Sequence, residues 1–235
     1  MGGSEAVMVL TGASTGIGAE TARHAVEAGY RVVLGARSED KLAALAEELG
    51  GAEHAVAVRC DVTEWEDNER LVREALDAFG RIDVVFANAG FGATRGFLEE
   101  SPEQWRSMVL TNVLGVAYTI RASLPHLLER DAGHYVITSS VAGRRALPGS
   151  LYSASKWAVT AMGEALRAEL RQMRENRRIR VTLIEPGMVD TPFFSNRPDN
   201  ALHDDDIARA VMYAVTQPEH VDVNEILIRP TQQAG

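Results

Sequence analysis

Two side chains that could move a proton lie four residues apart in segment 151–157, Leu-Tyr-Ser-Ala-Ser-Lys-Trp. In a helix, this spacing puts Tyr152 and Lys156 on one face, one turn apart. A free phenol has a pKa of about 10, and a neighbouring ammonium group should lower it. The two residues are therefore a candidate acid–base pair, although the same spacing also occurs in ordinary surface pairs.

Small polar residues end the apolar run just upstream, in the segment Ile-Thr-Ser-Ser-Val-Ala-Gly at 137–143. A hydroxyl at the carboxyl end of a parallel strand lies where α/β proteins bind ligands. Ser139 and Ser140 are thus candidate ligand-binding residues. The alternative is a serine-rich turn without a chemical role.

A glycine-rich segment, Thr-Gly-Ala-Ser-Thr-Gly-Ile-Gly at 11–18, follows the first apolar run and precedes a helix-length stretch. A loop in this place presents backbone N–H groups and a positive helix end, which suit a pyrophosphate. Gly12 would permit the tight turn, Gly16 the close approach, and Gly18 the packing of helix on strand. The segment predicts a dinucleotide site, although its glycine spacing is one residue wider than the common fingerprint and glycines also mark ordinary turns.

Short apolar runs alternate with longer amphipathic stretches along the whole chain. The strand candidates, rich in Val and Ile, are 7–11, 31–36, 55–60, 84–87, 135–138, 181–184 and 225–228. The helix-length segments 17–28, 39–49 and 64–79 each stop at a glycine, and Ser101-Pro102 supplies a helix start. This alternation predicts an α/β fold, a single-domain doubly wound parallel sheet of about seven strands with helices on both faces.

Composition narrows the functional classes. The 235 residues suit one domain, and the lone Cys60 excludes an internal disulfide framework and a cysteine-based zinc finger. A net charge of −9 argues against nucleic acid as a partner. The short N-terminus lacks a leader and no apolar run could span a bilayer, so we expect a soluble, cytoplasmic protein. The acidic run 203–206 should open a helix at 207–216, so no metal site is predicted.

Several motifs in chain order resemble the short-chain dehydrogenase/reductase family, in its branch of short single-domain enzymes. They are the glycine loop at 11–18, Asp61-Val62, Asn88-Ala89-Gly90, Asn112, the Ser-Tyr-Lys set, and Pro186-Gly187 with Thr191. The resemblance covers essentially the whole chain. It implies a Rossmann-type fold and hydride transfer between the nicotinamide C4 of a bound cofactor and a substrate carbon.

The resemblance also implies a role for each motif residue. Tyr152 would be the general acid–base, and Lys156 would hold the nicotinamide ribose and lower the pKa of Tyr152. Ser140 would stabilise the substrate oxygen, and Asn112 would hold a water that links Lys156 to solvent, unless it simply packs a helix. The remaining cofactor contacts would come from Gly12, Ser14, Thr15, Gly16, Ile17, Gly18, Asn88, Ala89, Gly90, Pro186, Gly187 and Thr191, with Asp61 and Val62 bounding the adenine. The Ser-x-x-Gly register favours Ser140, whereas the commoner spacing to the tyrosine favours Ser139.

The end of the second predicted strand bears on the choice of cofactor. Ala36 cannot bind a ribose 2′-hydroxyl as an acidic residue would, and Arg37 can meet a 2′-phosphate. We therefore expect NADP(H) rather than NAD(H), with a solvent-exposed Arg37 as the alternative.

The expected substrate is an alcohol or carbonyl compound, such as a small hydroxy acid, a sugar or another secondary alcohol. The tail from 224, together with Ile-Glu-Pro-Gly at 184–187, resembles the subgroup of NADP-dependent 3-hydroxy acid and serine dehydrogenases. The short segment 188–206 would replace a longer substrate lid. Phe193 and Phe194 could wall the pocket, and three arginines could meet a carboxylate or lie in solvent, namely Arg95, Arg144 and Arg145.

Rival classes and assembly complete the prediction. A non-catalytic dinucleotide sensor would need neither Tyr152 nor Lys156. Nucleotide-sugar epimerases are the second rival class, but the resemblance implies that such enzymes have longer chains than this one. The long helices expected at 102–130 and 151–176 are the pair that the family uses to form oligomers. We therefore expect a homo-oligomer, with a tetramer favoured.

Overall fold

The computed structural model describes residues 6–93, 96–173, 178–191 and 199–233. Its strands are β1 (Val7–Thr11), β2 (Arg31–Ala36), β3 (Ala55–Arg59), β4 (Val84–Ala87), β5 (Ala132–Thr138), β6 (Arg178–Pro186), β7 (Val189–Asp190), β8 (Leu202–His203) and β9 (Glu225–Ile228). Its α-helices are α1 (Gly16–Glu27), α2 (Glu39–Glu48), α3 (Trp65–Phe79), α4 (Pro102–Val109), α5 (Gly115–Arg130), α6 (Tyr152–Met173) and α7 (Asp204–Val215). A π-helical turn, Leu110–Leu114, joins α4 to α5, and short 3₁₀ turns occupy Gly51–Glu53 and Val141–Gly143.

Seven strands form one parallel sheet in the order β3-β2-β1-β4-β5-β6-β9, and β7 pairs with β8 beside it. The chain runs outward from β1 to β3, returns to β4, and then builds the other half of the sheet. The carboxyl ends of β1 and β4 therefore border the crevice in which doubly wound sheets bind ligands. The predicted α/β fold is confirmed.

Each face of the sheet packs against its own helices because strand side chains alternate in direction. In β1, Val7 and Val9 join the core under α3, α5 and α6, whereas Met8 and Leu10 join the core under α1, α2 and α7. Both cores reach the central strands. The sheet whose strand ends border the candidate site is thus buried on both faces.

The predicted boundaries hold with local differences. β5 and β6 begin three residues earlier than their apolar runs, at Ala132 and Arg178, because their first residues are small or polar. The acidic run does open a helix, but α7 already begins at Asp204, with His203 at its N-cap. In the part of the chain that the structure describes, no helix combines the length and apolarity needed to cross a bilayer.

Candidate functional site

A cavity of about 710 Å³ opens at the carboxyl ends of β1, β4, β5 and β6. Its walls include nearly all the residues that the motifs singled out, namely Gly12, Ser14, Thr15, Gly16, Ile17, Arg37, Asp61, Val62, Asn88, Ala89, Gly90, Ser140, Tyr152, Lys156, Pro186, Gly187 and Thr191. Gly18 and Asn112 lie behind these walls. The tertiary structure therefore brings motifs from the whole length of the chain to one place.

The glycine loop lies at the bottom of the cavity and leads into α1. Gly12 has a φ of 64°, and a Cβ there would lie 2.9 Å from the Cα of Ala89. A Cβ on Gly18 would overlap the carbonyl oxygen of Gly12, so Gly18 packs the helix against the loop from behind. The first turn of α1, which is fully described, carries no acidic side chain. The positive end of the helix is thus free to attract a phosphate.

Asn88 connects three strand ends around this loop. Its amide nitrogen donates to the carbonyl oxygens of Thr11 and Gly12 at 3.3 and 3.4 Å, and its Oδ1 accepts from Thr138 Oγ1 at 3.1 Å. The hydroxyl of Thr11 in turn accepts from the backbone N–H groups of Asn88 and Ala89. The side chain of Asn88 therefore holds the glycine loop in place relative to β5.

Tyr152 is the first residue of α6, and its phenol forms a hydrogen bond with the Ser140 hydroxyl. Lys156 lies one turn further along, with its Nζ 5.9 Å from the centroid of the tyrosine ring. That Nζ donates to the carbonyl oxygen of Thr138 at 2.9 Å. The predicted pair thus shares one helix face and meets the serine at the end of β5.

The acid–base properties of the pair follow from its burial. Burial raises the pKa of Tyr152 to about 12, and the side-chain hydrogen bond between Tyr152 and Ser140 opposes that rise. Burial also lowers the pKa of Lys156 to about 8. The sequence led us to expect a lowered pKa for Tyr152, and that direction is wrong for this structure. Loss of contact with water disfavours the charged phenolate form of Tyr152. It also disfavours the charged ammonium form of Lys156, which was expected to stabilise the phenolate.

The two adjacent serines have different surroundings. Ser140 Oγ accepts from Ala142 N at 3.1 Å, donates to Pro186 O at 3.4 Å, and also contacts Tyr152. Ser139 also borders the cavity, but its Oγ lies 2.7 Å from Thr160 Oγ1 and donates to Lys156 O at 3.2 Å. Ser140 is therefore the serine that contacts the phenol.

Asn112 lies in the π-helical turn and is fully buried. Its Oδ1 accepts from Phe91 N at 3.0 Å, and its amide nitrogen donates to Phe91 O at 2.9 Å and to Ser155 Oγ at 3.1 Å. The side chain therefore joins the loop after β4 to α6. This arrangement agrees with the packing alternative, and a role in holding water stays a prediction.

Arg37 is exposed at the mouth of the cavity, next to Ala36. Within the described ranges it has no ion-pair partner, whereas the nearby Glu39 pairs with Arg59 at 3.4 Å. Asp61 closes the same end of the cavity, and its Oδ1 accepts from Thr63 N and Oγ1. A cation without a carboxylate partner at this position suits a phosphate group.

The expectation that Arg144 could meet a substrate carboxylate is wrong, because its guanidinium pairs with two carboxylates of the protein itself. Its Nε donates to Glu185 Oε1 at 2.6 Å, and its Nη2 lies 2.5 Å from Glu225 Oε2. An arginine held between two carboxylates does not present a free charge to a substrate. Arg145 is exposed and has no ion pair among the described residues. Arg95, Phe193 and Phe194 lie outside the described residues.

Among the wall residues to which the sequence assigned no role, two make hydrogen bonds at the site. Thr138 offers the carbonyl that holds Lys156, and Gln233 reaches the cavity from the C-terminal tail. Gln233 Oε1 accepts from Met188 N at 3.0 Å, next to Gly187. A backbone carbonyl has no sequence signature, and the position of the tail depends on where β9 ends. No local pattern could have identified either residue.

Together these residues fit a dinucleotide. The loop has no room for a Cβ at Gly12, the first turn of α1 is free of acidic groups, and a cation stands at the far end of the cavity. The phosphates would lie over Gly12 to Ile17, and the nicotinamide end would face Tyr152 and Lys156.

Comparisons with known proteins agree with this geometry. Residues 6–201 match the short chain dehydrogenase family. An uncharacterized oxidoreductase of Staphylococcus saprophyticus is 38% identical, with 97% of each chain covered.

Three solved structures share the fold. An alcohol dehydrogenase from Thermococcus sibiricus complexed with 5-hydroxy-NADP has a TM-score of 0.89 and 34% identity, covering 98% of this chain and 99% of its own. Serine dehydrogenase from Escherichia coli has a TM-score of 0.86 and 29% identity, covering 97% and 100%. A short-chain dehydrogenase/reductase from Burkholderia phymatum in complex with NAD has a TM-score of 0.85 and 28% identity, covering 97% and 90%.

The family match covers most of the chain, and the motif residues that carry the resemblance line one cavity. The chain belongs to the short-chain dehydrogenase family of NAD(P)-dependent oxidoreductases.

Proposed function

We propose that this enzyme transfers a hydride between NADP(H) and an alcohol or carbonyl substrate, with Tyr152 as the general acid–base. The observation that carries the proposal is the hydrogen bond between Tyr152 and Ser140 on the wall of the cavity, one helical turn from Lys156. A dinucleotide sensor without catalytic activity would need none of these three side chains.

The bound nicotinamide would supply or accept the hydride. During reduction, Tyr152 gives its proton to the carbonyl oxygen, and its raised pKa keeps it protonated at neutral pH. Ser140 donates a hydrogen bond to the same oxygen and so stabilises the charge that develops there. In the oxidation direction, the phenolate form of Tyr152 takes the proton from the alcohol and becomes the phenol again, and the positive charge of Lys156 favours the phenolate. Lys156 and Asn112, with Ser140 and Tyr152, form the proposed catalytic set.

The test is Tyr152→Phe. Removing the proton-transfer group should lower kcat by at least about 100-fold. Cofactor affinity, measured by calorimetry, should change little because the phenyl ring still fills its place. Tyr213→Phe is the control, because Tyr213 is 59% exposed on α7. A Tyr152→Phe enzyme that turns over like the wild type would refute the assignment.

Arg37 supports the preference for NADP(H). A 2′-phosphate carries nearly two negative charges at neutral pH, and charge-assisted hydrogen bonds to arginine contribute about 1.5–3 kcal/mol. That energy corresponds to about 10- to 100-fold in affinity. Thr15, also on the cavity wall, offers only a hydroxyl as further help. The alternative is an enzyme of the same fold that prefers NAD(H).

The measurement is the ratio of kcat/KM for NADP+ to that for NAD+. We expect the wild type to favour NADP+, and the Ala36→Asp/Arg37→Ala variant to lose or invert this preference. The new carboxylate would repel the phosphate and bind an unmodified ribose. A wild type that already favours NAD+ would show that Arg37 does not bind a phosphate.

Small secondary alcohols are the proposed substrate class, including hydroxy acids and sugars. The support is the likeness to an alcohol dehydrogenase and a serine dehydrogenase, together with the resemblance of the tail to the hydroxy acid subgroup. Screening NADP+-dependent oxidation over alcohols, sugars and hydroxy acids tests this proposal. Activity on none of them, with intact cofactor binding, would favour the sensor.

We also propose a homo-oligomer, with a tetramer favoured. Large apolar side chains are exposed on the long helices and at the sheet edge, among them Val109, Trp157, Met173 and Leu227. Burying them in a second copy would remove apolar surface from water. Sedimentation that gives a monomer at micromolar concentration would contradict this proposal.

A further inference from the structure

Arg144 closes a ring of contacts between the end of β5 and the end of β6. Ser139 N donates to Ile184 O at 2.8 Å, and Ser140 Oγ donates to Pro186 O at 3.4 Å. Between these two acceptors lies Glu185, whose carboxylate binds the Arg144 guanidinium at 2.6 Å. We name Arg144, Glu185 and Glu225 the Arg144 clamp.

The turn between Ser140 and Arg144 is stiff. Gly143 N donates to Ser140 O at 2.8 Å, Arg144 N donates to Val141 O at 3.0 Å, and Ala142 N donates to Ser140 Oγ at 3.1 Å. A Cβ on Gly143 would meet Lys156 O at 2.8 Å, so the turn is also packed closely on α6. A contact that fixes Arg144 at one end of this turn therefore also restricts the movement of Ser140 at the other end.

Glu185 is an unusual carboxylate because it is buried, with only 1% of its surface exposed. Burial raises the pKa of its carboxyl, and Arg144 opposes that rise. The guanidinium also reaches Glu225 on β9, at the edge of the sheet. A buried carboxylate is tolerated only with such a partner, so the clamp can adopt few other arrangements.

From this geometry we propose that Arg144 and Glu185 are positioning residues that hold Ser140 against Tyr152. The inference deepens the proposed function, because it rests on the roles proposed there for Ser140 and Tyr152. Neither clamp residue is proposed to touch the substrate. Their effect is to fix the direction of the Ser140 hydroxyl through the turn that it begins.

The test compares four variants. Arg144→Met leaves Glu185 without a partner and could unfold the protein, whereas Arg144→Met/Glu185→Gln removes both charges and leaves none buried alone. Arg144→Lys keeps a cation of different shape. Arg178→Met is the matched control, because Arg178 begins the same strand and pairs with Glu219 at 3.0 Å on the exposed surface.

Two readouts separate positioning from stability. The first is the NMR chemical shift of the Tyr152 Cζ carbon at neutral pH, in protein labelled at that carbon and assigned with Tyr152→Phe, because this shift responds to a hydrogen bond at the phenol oxygen. The second is kcat, with the KM and affinity for the cofactor as references and thermal unfolding as the check on folding.

We expect the double variant to fold and to bind cofactor as the wild type does, while its kcat falls about tenfold, a typical coupling between contacting residues. Its Tyr152 Cζ resonance should move away from the wild-type position because the Ser140 hydrogen bond is lost. Arg144→Lys should recover part of both effects, and Arg178→Met should change neither.

A folded double variant with wild-type kcat and a wild-type Tyr152 Cζ chemical shift would overturn the inference. Failure of the proposed function looks different, since Tyr152→Phe would then keep its turnover. The chemical shift would still report, in that case, whether the clamp holds Ser140 against the phenol.

Discussion

Ser139 and Ser140 are neighbours in the chain but have hydroxyls in different environments. Ser140 contacts Tyr152, and Ser139 lies 2.7 Å from Thr160 Oγ1. We expect Ser140→Ala to lower kcat about 100-fold, the usual loss when one donor to a developing oxyanion is removed. Its stability should also fall by about 1 kcal/mol, because Ala142 N loses its hydrogen-bond acceptor.

Ser139→Ala is the matched variant for this prediction. It should destabilise the protein by about 1 kcal/mol, because Thr160 loses a buried hydrogen-bond partner, and should leave kcat within a few-fold. Steady-state kinetics and urea unfolding of both variants check the pair. If Ser139→Ala were the inactive one, the commoner family spacing would be the correct register.

At the scale of an element, α1 depends on Gly18 for its position against the glycine loop. A Cβ there would overlap Gly12 O, which is backbone and cannot move aside cheaply. Gly18→Ala should cost about 1–3 kcal/mol of stability through overpacking. It should also weaken cofactor binding by about tenfold or more, because the helix end and the loop must separate.

Gly29→Ala is the control for α1. Gly29 follows the helix with a φ of 85°, and nothing lies within 4 Å of an added Cβ. Its substitution should cost about 1 kcal/mol from the left-handed backbone alone and leave cofactor affinity unchanged. The measurement is calorimetric titration with NADP+. Equal NADP+ affinity in Gly18→Ala and Gly29→Ala would contradict the prediction.

At the scale of the whole molecule, the buried His134 couples stability to pH. Its Nε2 lies 2.7 Å from Thr182 Oγ1, which itself donates to Val223 O, so Nε2 carries the hydrogen of a neutral ring. Burial and the charge of Arg180 lower the pKa of His134 to about 3. The unfolded chain binds the proton below its ordinary pKa of about 6.5, and the folded chain does not.

The free energy of unfolding should therefore fall as the pH drops below about 6.5, with a slope that approaches about 1.4 kcal/mol for each pH unit. By pH 5.5 the loss should be about 1.4 kcal/mol. Urea unfolding at pH 7.5, 6.5 and 5.5 measures this slope. His134→Gln should flatten it, whereas substitution of the exposed His220 should not. Equal slopes in wild type and His134→Gln would rule out this source.

The sequence by itself determined the fold class, the family and most of the cavity wall. Those features depend on local signals, such as the alternation of apolar runs, the glycines after β1 and the four-residue spacing of Tyr152 and Lys156. In a parallel sheet, the ends of strands must meet at one edge, so the motifs that follow β1, β4 and β5 converge. The positions of these motif residues could be predicted because the topology of a parallel sheet fixes the edge at which they lie.

Only the tertiary structure decided the contacts and charges of individual side chains. Arg144 is paired with a glutamate 41 residues away, and Gln233 reaches the cavity from the tail. The direction of the Tyr152 pKa shift was wrong from sequence because spacing reports the nearby cation but not the loss of water around it. Such properties arise from burial and from partners distant in the chain, which no local pattern encodes.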